Sequence, residues 1–210
     1  MKTILLAPNQ NKKIRKKVKW SPIYAITIES KALEIYILVI FERKNDVNVL
    51  ILKRIKFFKD QSDIQNYINY NDLKLILNKE LKKDSVLWNL KMLISRYLKT
   101  GNLNLYKEIQ NLKIDLDVDS YFSTVFSKKV LNALLNIPGG STCSYSKIGE
   151  MINSQAFRAI GSVLKKNPLP LIIPCHRVIR KDGTIGGFMG KADDSWQTNL
   201  KNSLLELEKE

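Results

Sequence analysis

The residues that could do chemistry are concentrated in one short run, PLPLIIPCHRV, residues 168–178. An apolar, strand-like stretch pinned by Pro168, Pro170 and Pro174 delivers Cys175, His176 and Arg177 at its end. The nucleophilic form of cysteine is the thiolate. With a pKa of about 8.5, a free thiol is only a few per cent ionised at neutral pH, so a nearby base or positive charge must help. His176 and Arg177 are the immediate candidates, although neighbours in sequence need not have side chains that meet. On this string alone, a buried structural cysteine beside a histidine is the competing reading.

Composition narrows the chemistry. Cys143 and Cys175 are the two cysteines and His176 the single histidine, so neither a disulfide framework nor a Cys/His zinc site can be assembled. A reducing compartment follows. Lys and Arg number 35 against 20 Asp and Glu, a formal charge of +15. Such a surface attracts polyanions, though excess lysine can also serve solubility alone. No stretch approaches the roughly 18 apolar residues of a membrane span, and the opening MKTILLAPNQNKK has too short an apolar run for a signal peptide, so a soluble intracellular protein is expected. Lys12, Lys13, Arg15, Lys16, Lys17 and Lys19 form a basic run that reads as a solvated tail or DNA-contacting arm, with a nuclear address the other use of such a run.

Elements must now be found to position the thiol. YAITIES and LEIYILVIF, broken at Ser30–Lys31, predict a β-hairpin, with a third strand over Val47 to Ile55. From Asp63 to Leu98 the spacing turns helical, with Val86, Leu90, Leu93, Ile94 and Tyr97 on one face and Gly101 closing the helix. Residues 102–119 are polar, carry no long periodic element and read as a linker. No chemistry is recognisable before them. A helix is expected from Tyr121, with Phe122, Val125, Phe126, Val130, Leu134 and Leu135 on its apolar side, ending at Pro138–Gly139–Gly140. Two short helices follow, one capped by Ser144 and one from about Ser154 to Lys166, joined tightly at Asn153–Ser154. This spacing fits a helix-turn-helix. The second helix mixes Arg158, Lys165 and Lys166 with the small residues Ala156, Ala159, Gly161 and Ser162, a pattern that serves close packing as well as contact with DNA.

Taken together, PCHRV, the upstream Asn167–Pro168, the GSTCSY segment and the downstream GTIGGF resemble the O6-alkylguanine-DNA alkyltransferases, also called methylated-DNA–protein-cysteine methyltransferases. The resemblance spans about residues 121–208; before it, the SPIYAITIES strand and the RYLKTG helix end resemble the family's variable first domain in outline. It implies an α+β fold: a basic tail over 1–20, a variable N-terminal α/β domain over 21–115, and a mostly helical DNA-binding and alkyl-acceptor domain over 120–210 that bears the helix-turn-helix and the PCHRV loop. It implies irreversible transfer of the alkyl group of O6-alkylguanine, less readily O4-alkylthymine, to Cys175 in one turnover, without a cofactor. His176 would relay the thiol proton through a water to Glu208, with Glu206 the fallback because ADDSWQTN before Lys201 is longer than usual.

On the same resemblance, Tyr145 disturbs the target phosphate and donates to the extruded guanine ring, while Arg158 fills the gap left in the stack. Flipping is a physical requirement, because the alkylated oxygen lies on the pairing edge of the base. Tyr145, Arg158, Ser127, Ser146, Ala156 and Lys165 form the expected DNA-facing set, and the second helix is expected in the minor groove. Val178, Phe188, Met189, Asn167 and Pro170 form the expected substrate pocket, with Asn167 chiefly structural. Phe188–Met189 departs from the family's Tyr-then-polar loop and predicts a pocket favouring larger alkyl groups. Cys143 reads as an inert packed thiol. The expected partner is double-stranded DNA carrying alkylated guanine, met by a monomer in the cytoplasm or nucleoid, or in the nucleus of a eukaryote. Two other readings are a non-catalytic lesion sensor, which would replace the acceptor cysteine, and a helix-turn-helix regulator with a structural cysteine.

Overall fold

The computed structural model describes residues 22–44, 49–191 and 195–209, so the basic tail over 1–20 lies outside the described residues. Three long strands, β1 (Ile23–Ser30), β2 (Ile35–Lys44) and β3 (Val49–Phe58), form an antiparallel meander. The β-branched run of β2 is apolar on both faces, and both are covered. Ile35, Ile37, Val39 and Phe41 join the main core, while Leu38 and Ile40 pack with Ala25 against Ile64 and Ile68 of α1 (Gln61–Tyr70). β3 runs three residues beyond the expected end at Ile55, and the expected start at Val47 lies outside the described residues.

The helical spacing read from Asp63 to Leu98 is not one helix. After α1 the chain turns at Asp72, which holds a positive φ of 50°, and adds a short strand, β4 (Lys74–Leu75), parallel to β1. α2 (Val86–Thr100) follows, capped by Ser85 and closed by Gly101 in the left-handed conformation. Leu90, Ile94 and Tyr97 are buried as expected, whereas Val86 is exposed.

The expected linker over 102–119 is also structured. α3 (Leu105–Asn111) buries Leu105 and Ile109, and β5 (Asp115–Leu116) extends the sheet parallel to β3, giving the order β4-β1-β2-β3-β5. One apolar residue per turn over so short a span gives no readable period. Order comes from tertiary packing. The same core then continues through Val130, Ile148, Ile160, Ile173 and Leu204. The fold is α+β.

Candidate active site

α4 (Val125–Leu135) starts four residues later than the apolar pattern predicts, because Thr124 caps it by accepting from the Ser127 amide at 3.0 Å while the Ser127 hydroxyl accepts from the Thr124 amide. Ser127 is a member of the expected DNA-facing set. Its side chain is buried and engaged in the cap.

β6 (Cys143–Ser144) leads into α5 (Tyr145–Met151), and Ser144 accepts from the Lys147 amide. A turn through Asn153, at φ 54°, connects it to α6 (Phe157–Lys165). The two helices approach so closely that a Cβ on Gly149 would lie 2.5 Å from the Ser154 carbonyl oxygen and 2.6 Å from the Phe157 ring. Arg158 and Ala156 are exposed on α6. Ser146, half-buried, shares a 2.8 Å hydrogen bond with Ser144.

The run before Cys175 is a series of turns and not a strand, since three prolines remove ladder donors and Leu171 sits at φ 75°. Asn167 stitches it together. Its Nδ2 donates to the Ile173 carbonyl at 2.9 Å and to Cys175 Sγ at 3.0 Å, while its Oδ1 accepts from the Leu169 amide. The side chain assigned a chiefly structural part therefore also touches the sulfur. The Ile55 amide donates to the Pro168 carbonyl at 2.8 Å, fastening the loop to β3.

Cys175, His176 and Arg177 form one 3₁₀ turn ahead of β7 (Val178–Ile179), which pairs with β6, and all three are buried. α7 (Trp196–Leu207) carries the other half of the site, with Glu208 at its C-cap. Glu208 Oε1 lies 3.0 Å from His176 Nε2, whereas Glu206 is at the surface beside Lys209. Arg177 does not turn toward the thiol. Its Nε and Nη2 grip both Glu208 oxygens at 2.9 and 2.7 Å, and Nη1 donates to the Ile137 carbonyl. Burial works against ionisation of Glu208, but the bonds from His176 and Arg177 prevail and hold its carboxyl far below the usual range. His176 is pushed toward its neutral form by burial, opposed by Glu208. A carboxylate can only accept, so Nε2 of the neutral ring carries the proton. Nδ1 is left with a lone pair, and no described residue bonds to it.

Burial pushes the Cys175 thiol up, while the Asn167 bond and the charge of Lys201 pull the other way. Lys201 was not among the expected site residues. It is buried within α7, donating to the carbonyls of Val178 at 2.7 Å and Ile185 at 2.6 Å. The pattern Leu200, Lys201, Leu204, Leu205, Glu208 places this lysine on the helix's inner face, a readable signal. Tyr97 was missed as a site residue too. Its hydroxyl, from the stretch without recognisable chemistry, donates to Glu208 Oε1 at 2.5 Å. A tyrosine in a core-facing stripe needs a partner for its hydroxyl, and that was the available hint.

A cavity of about 310 Å³ opens on the thiol, lined by Tyr145, Gly161, Lys165, Cys175, Phe188 and Met189. A second, of about 540 Å³, meets Cys175 between Pro170, Asn167 and Met189 and extends to Tyr121 and to Arg54 and Lys56 of β3. Val178 lines neither. It is fully buried, held by strand pairing, with its carbonyl facing Lys201. Cys143 is half-buried, and burial raises its pKa.

Residues 125–210 match the family model described as 6-O-methylguanine DNA methyltransferase, DNA binding domain. That part of the chain is similar to the DNA-binding domain of this family. About half of the chain is similar to curated proteins named methylated-DNA–protein-cysteine methyltransferase. The one from Methanothermobacter thermautotrophicus is 38% identical over 103 residues, covering 48% of this chain and 54% of the relative. The one from Mycobacterium leprae is 41% identical over 103 residues, covering 49% and 57%. The chain thus spans only somewhat more than half the length of these relatives. Beyond the domain, the whole fold is similar to the O6-methylguanine methyltransferase of Mycobacterium tuberculosis, with TM-score 0.56, 25% identity and coverage of 89% of this chain and 93% of that one. The enzyme of Pyrococcus kodakaraensis shares the fold at TM-score 0.60 and 22% identity, covering 89% and 98%. Among the described residues, no helix is long and apolar enough to cross a membrane.

Proposed function

We propose that this chain is a methylated-DNA–[protein]-cysteine S-methyltransferase that moves the alkyl group of O6-alkylguanine in double-stranded DNA to Cys175, once and irreversibly. In this reading residues 21–115 are the variable N-terminal domain and 120–210 the DNA-binding, alkyl-accepting domain. The two share one apolar core. The observation that carries the proposal is a buried thiol at the floor of a cavity, with a neutral histidine beside it whose outer nitrogen is held by a buried carboxylate.

The thiol is protonated at rest, so its proton must leave as sulfur attacks. His176 Nδ1 is the acceptor, through a bridging water, and Glu208 stabilises the imidazolium that forms. The S–C bond forms as the C–O6 bond breaks, and guanine recovers a ring proton matching the one that sulfur gave up. The balance closes without a redox partner or a cofactor. Asn167 and the Lys201 charge favour negative charge on sulfur, and Tyr145, in the cavity wall, donates to the guanine ring.

DNA is met by α5 and α6 as a helix-turn-helix, with α6 in the minor groove and Arg158 taking the place of the flipped base. Ser146, Ala156 and Lys165 complete the DNA-facing set. The net charge of +15 favours the encounter. Phe188, Met189 and Pro170 favour alkyl groups larger than methyl, for which the second cavity has room. The protein acts as a monomer in the cytoplasm or nucleoid, or in the nucleus of a eukaryote. Intact and peptide masses after incubation with a methylguanine duplex test the proposal: a methyl increment is expected on the Cys175 peptide and none in Cys175→Ala, which should still bind the lesion. Binding without any increment in the unaltered protein would make it a lesion sensor.

A further inference from the structure

Glu208 Oε1 has three donors, and one of them comes from the other half of the chain. Besides His176 Nε2 and Arg177 Nη2, the hydroxyl of Tyr97 reaches it from α2, and the Tyr97 oxygen also lies 3.3 Å from His176 Nε2. Tyr97 is fully buried, as is His176. The geometry leaves little freedom of role. Glu208 accepts only, so the Tyr97 proton points at Oε1, and the Tyr97 oxygen can serve only as a second, weaker acceptor for the His176 Nε2 proton.

We propose that Tyr97 is a positioning residue of the proton relay: by donating to Glu208 Oε1 it limits the carboxylate's pull on His176 and fixes the ring with Nδ1 as the base. This rests on the alkyl-transfer reading for its use, though not for its measurement. Two opposing effects decide the sign. Loss of the hydroxyl removes a weak acceptor at 3.3 Å, which lowers the basicity of His176. It also removes the short donor at 2.5 Å, leaving more negative charge on Oε1 to stabilise an imidazolium, which raises it. The shorter, charge-assisted bond dominates. The other charged groups acting on the imidazole are unchanged by this substitution: Arg177 on the same turn and Lys201 on α7. A neutral base is what the relay needs at physiological pH, and the donor from α2 keeps the ring neutral to lower pH.

His176 is the single histidine of the chain, so its imidazole can be titrated by NMR in untagged, unreacted protein without DNA. Tyr97→Phe should raise the His176 midpoint by about 0.5–1 unit, the equivalent of one ordinary hydrogen bond. The acid limb of methyl transfer should move up with it. Global replacement of tyrosine by 3-fluorotyrosine, which strengthens donation by Tyr97, should move the midpoint down in a chain with no substitution, and serves if Tyr97→Phe does not fold. A midpoint that stays put in the folded protein, or that moves opposite to these directions, overturns the proposal even where transfer slows. Failure of the unaltered protein to accept methyl would overturn the function instead, and the titration would still report on Tyr97.

Discussion

Asn167 Nδ2 stands 3.0 Å from Cys175 Sγ, close enough to donate to the sulfur while the same amide braces the Ile173 carbonyl. Donation to a charged partner contributes about 1.5–3 kcal/mol, and its benefit grows as the thiolate develops. Asn167→Ala should therefore slow alkyl transfer about ten- to a hundredfold, with binding to undamaged duplex nearly unchanged. Single-turnover rates and binding isotherms on the same protein would check this. Equal losses in both would make Asn167 a packing residue.

Glu208 and His176 together make the fold sensitive to acid. The folded-state pKa of Glu208 lies below its unfolded value of about 4.3, so its contribution is complete above that value and is lost as pH falls through it. His176, also depressed, loses its contribution from about pH 6.5 downward by the same logic. Denaturant midpoints should fall in two stages as pH is lowered from neutrality through these two ranges. Glu208→Gln should shrink the lower stage, leaving the part that Asp117 contributes. It should also cost about 3–5 kcal/mol at neutral pH, because Arg177 is left buried without its anion.

Lys201 supports the loop that walls the cavity. Lys201→Met keeps the volume but strands the Val178 and Ile185 carbonyls, at about 1–3 kcal/mol each. We expect a lower melting temperature and a thiol that ionises at higher pH, read from the pH dependence of benzyl transfer from free O6-benzylguanine base to the protein. Unaltered ionisation would show that the ammonium acts on the loop alone.

Gly101 tests how firmly α2 is seated on α7. A Cβ there would collide with the carbonyl oxygen of Leu207, one residue before Glu208, and the left-handed φ of 60° adds strain. Gly101→Ala should displace the last turn of α7 and reduce transfer at least about tenfold, an effect of more than about 1.4 kcal/mol. Normal transfer in this variant would show that the turn can shift without harm.

Arg158 separates charge from shape. Arg158→Lys keeps the cation but loses the flat guanidinium surface, so transfer from duplex should slow while free-base transfer and binding to undamaged DNA persist. An unchanged ratio of duplex to free-base rate would make Arg158 a phosphate contact.

The readable part of the site was the contiguous part. Cys175 and His176 share one turn, and Tyr145 and Ser144 mark a helix start by local chemistry alone. Glu208 was reachable through the resemblance of KNSLLELE to the family's Lys-x-x-Leu-Leu-x-x-Glu ending, and only the long segment before it left Glu206 open. Residues that meet across the fold were not readable. Tyr97 looked like any aromatic in an apolar stripe, and its partner lies 111 positions away. The capping box that Ser127 closes with Thr124 was not read from the sequence either. The strands of β1 to β3 showed themselves by composition. α3 and β5 did not, because their order is borrowed from the core they pack on.

That 111-residue separation also has a consequence in time. A chain made from its N-terminus at about 5–20 residues per second presents Tyr97 many seconds before Glu208 exists. Cys175 emerges between them, with neither its carboxylate nor the buried lysine of α7 yet in reach. On the alkyl-transfer reading the thiol therefore lacks its proton relay on the ribosome and gains it only when α7 docks, so assembly of the fold sets the moment at which transfer becomes possible.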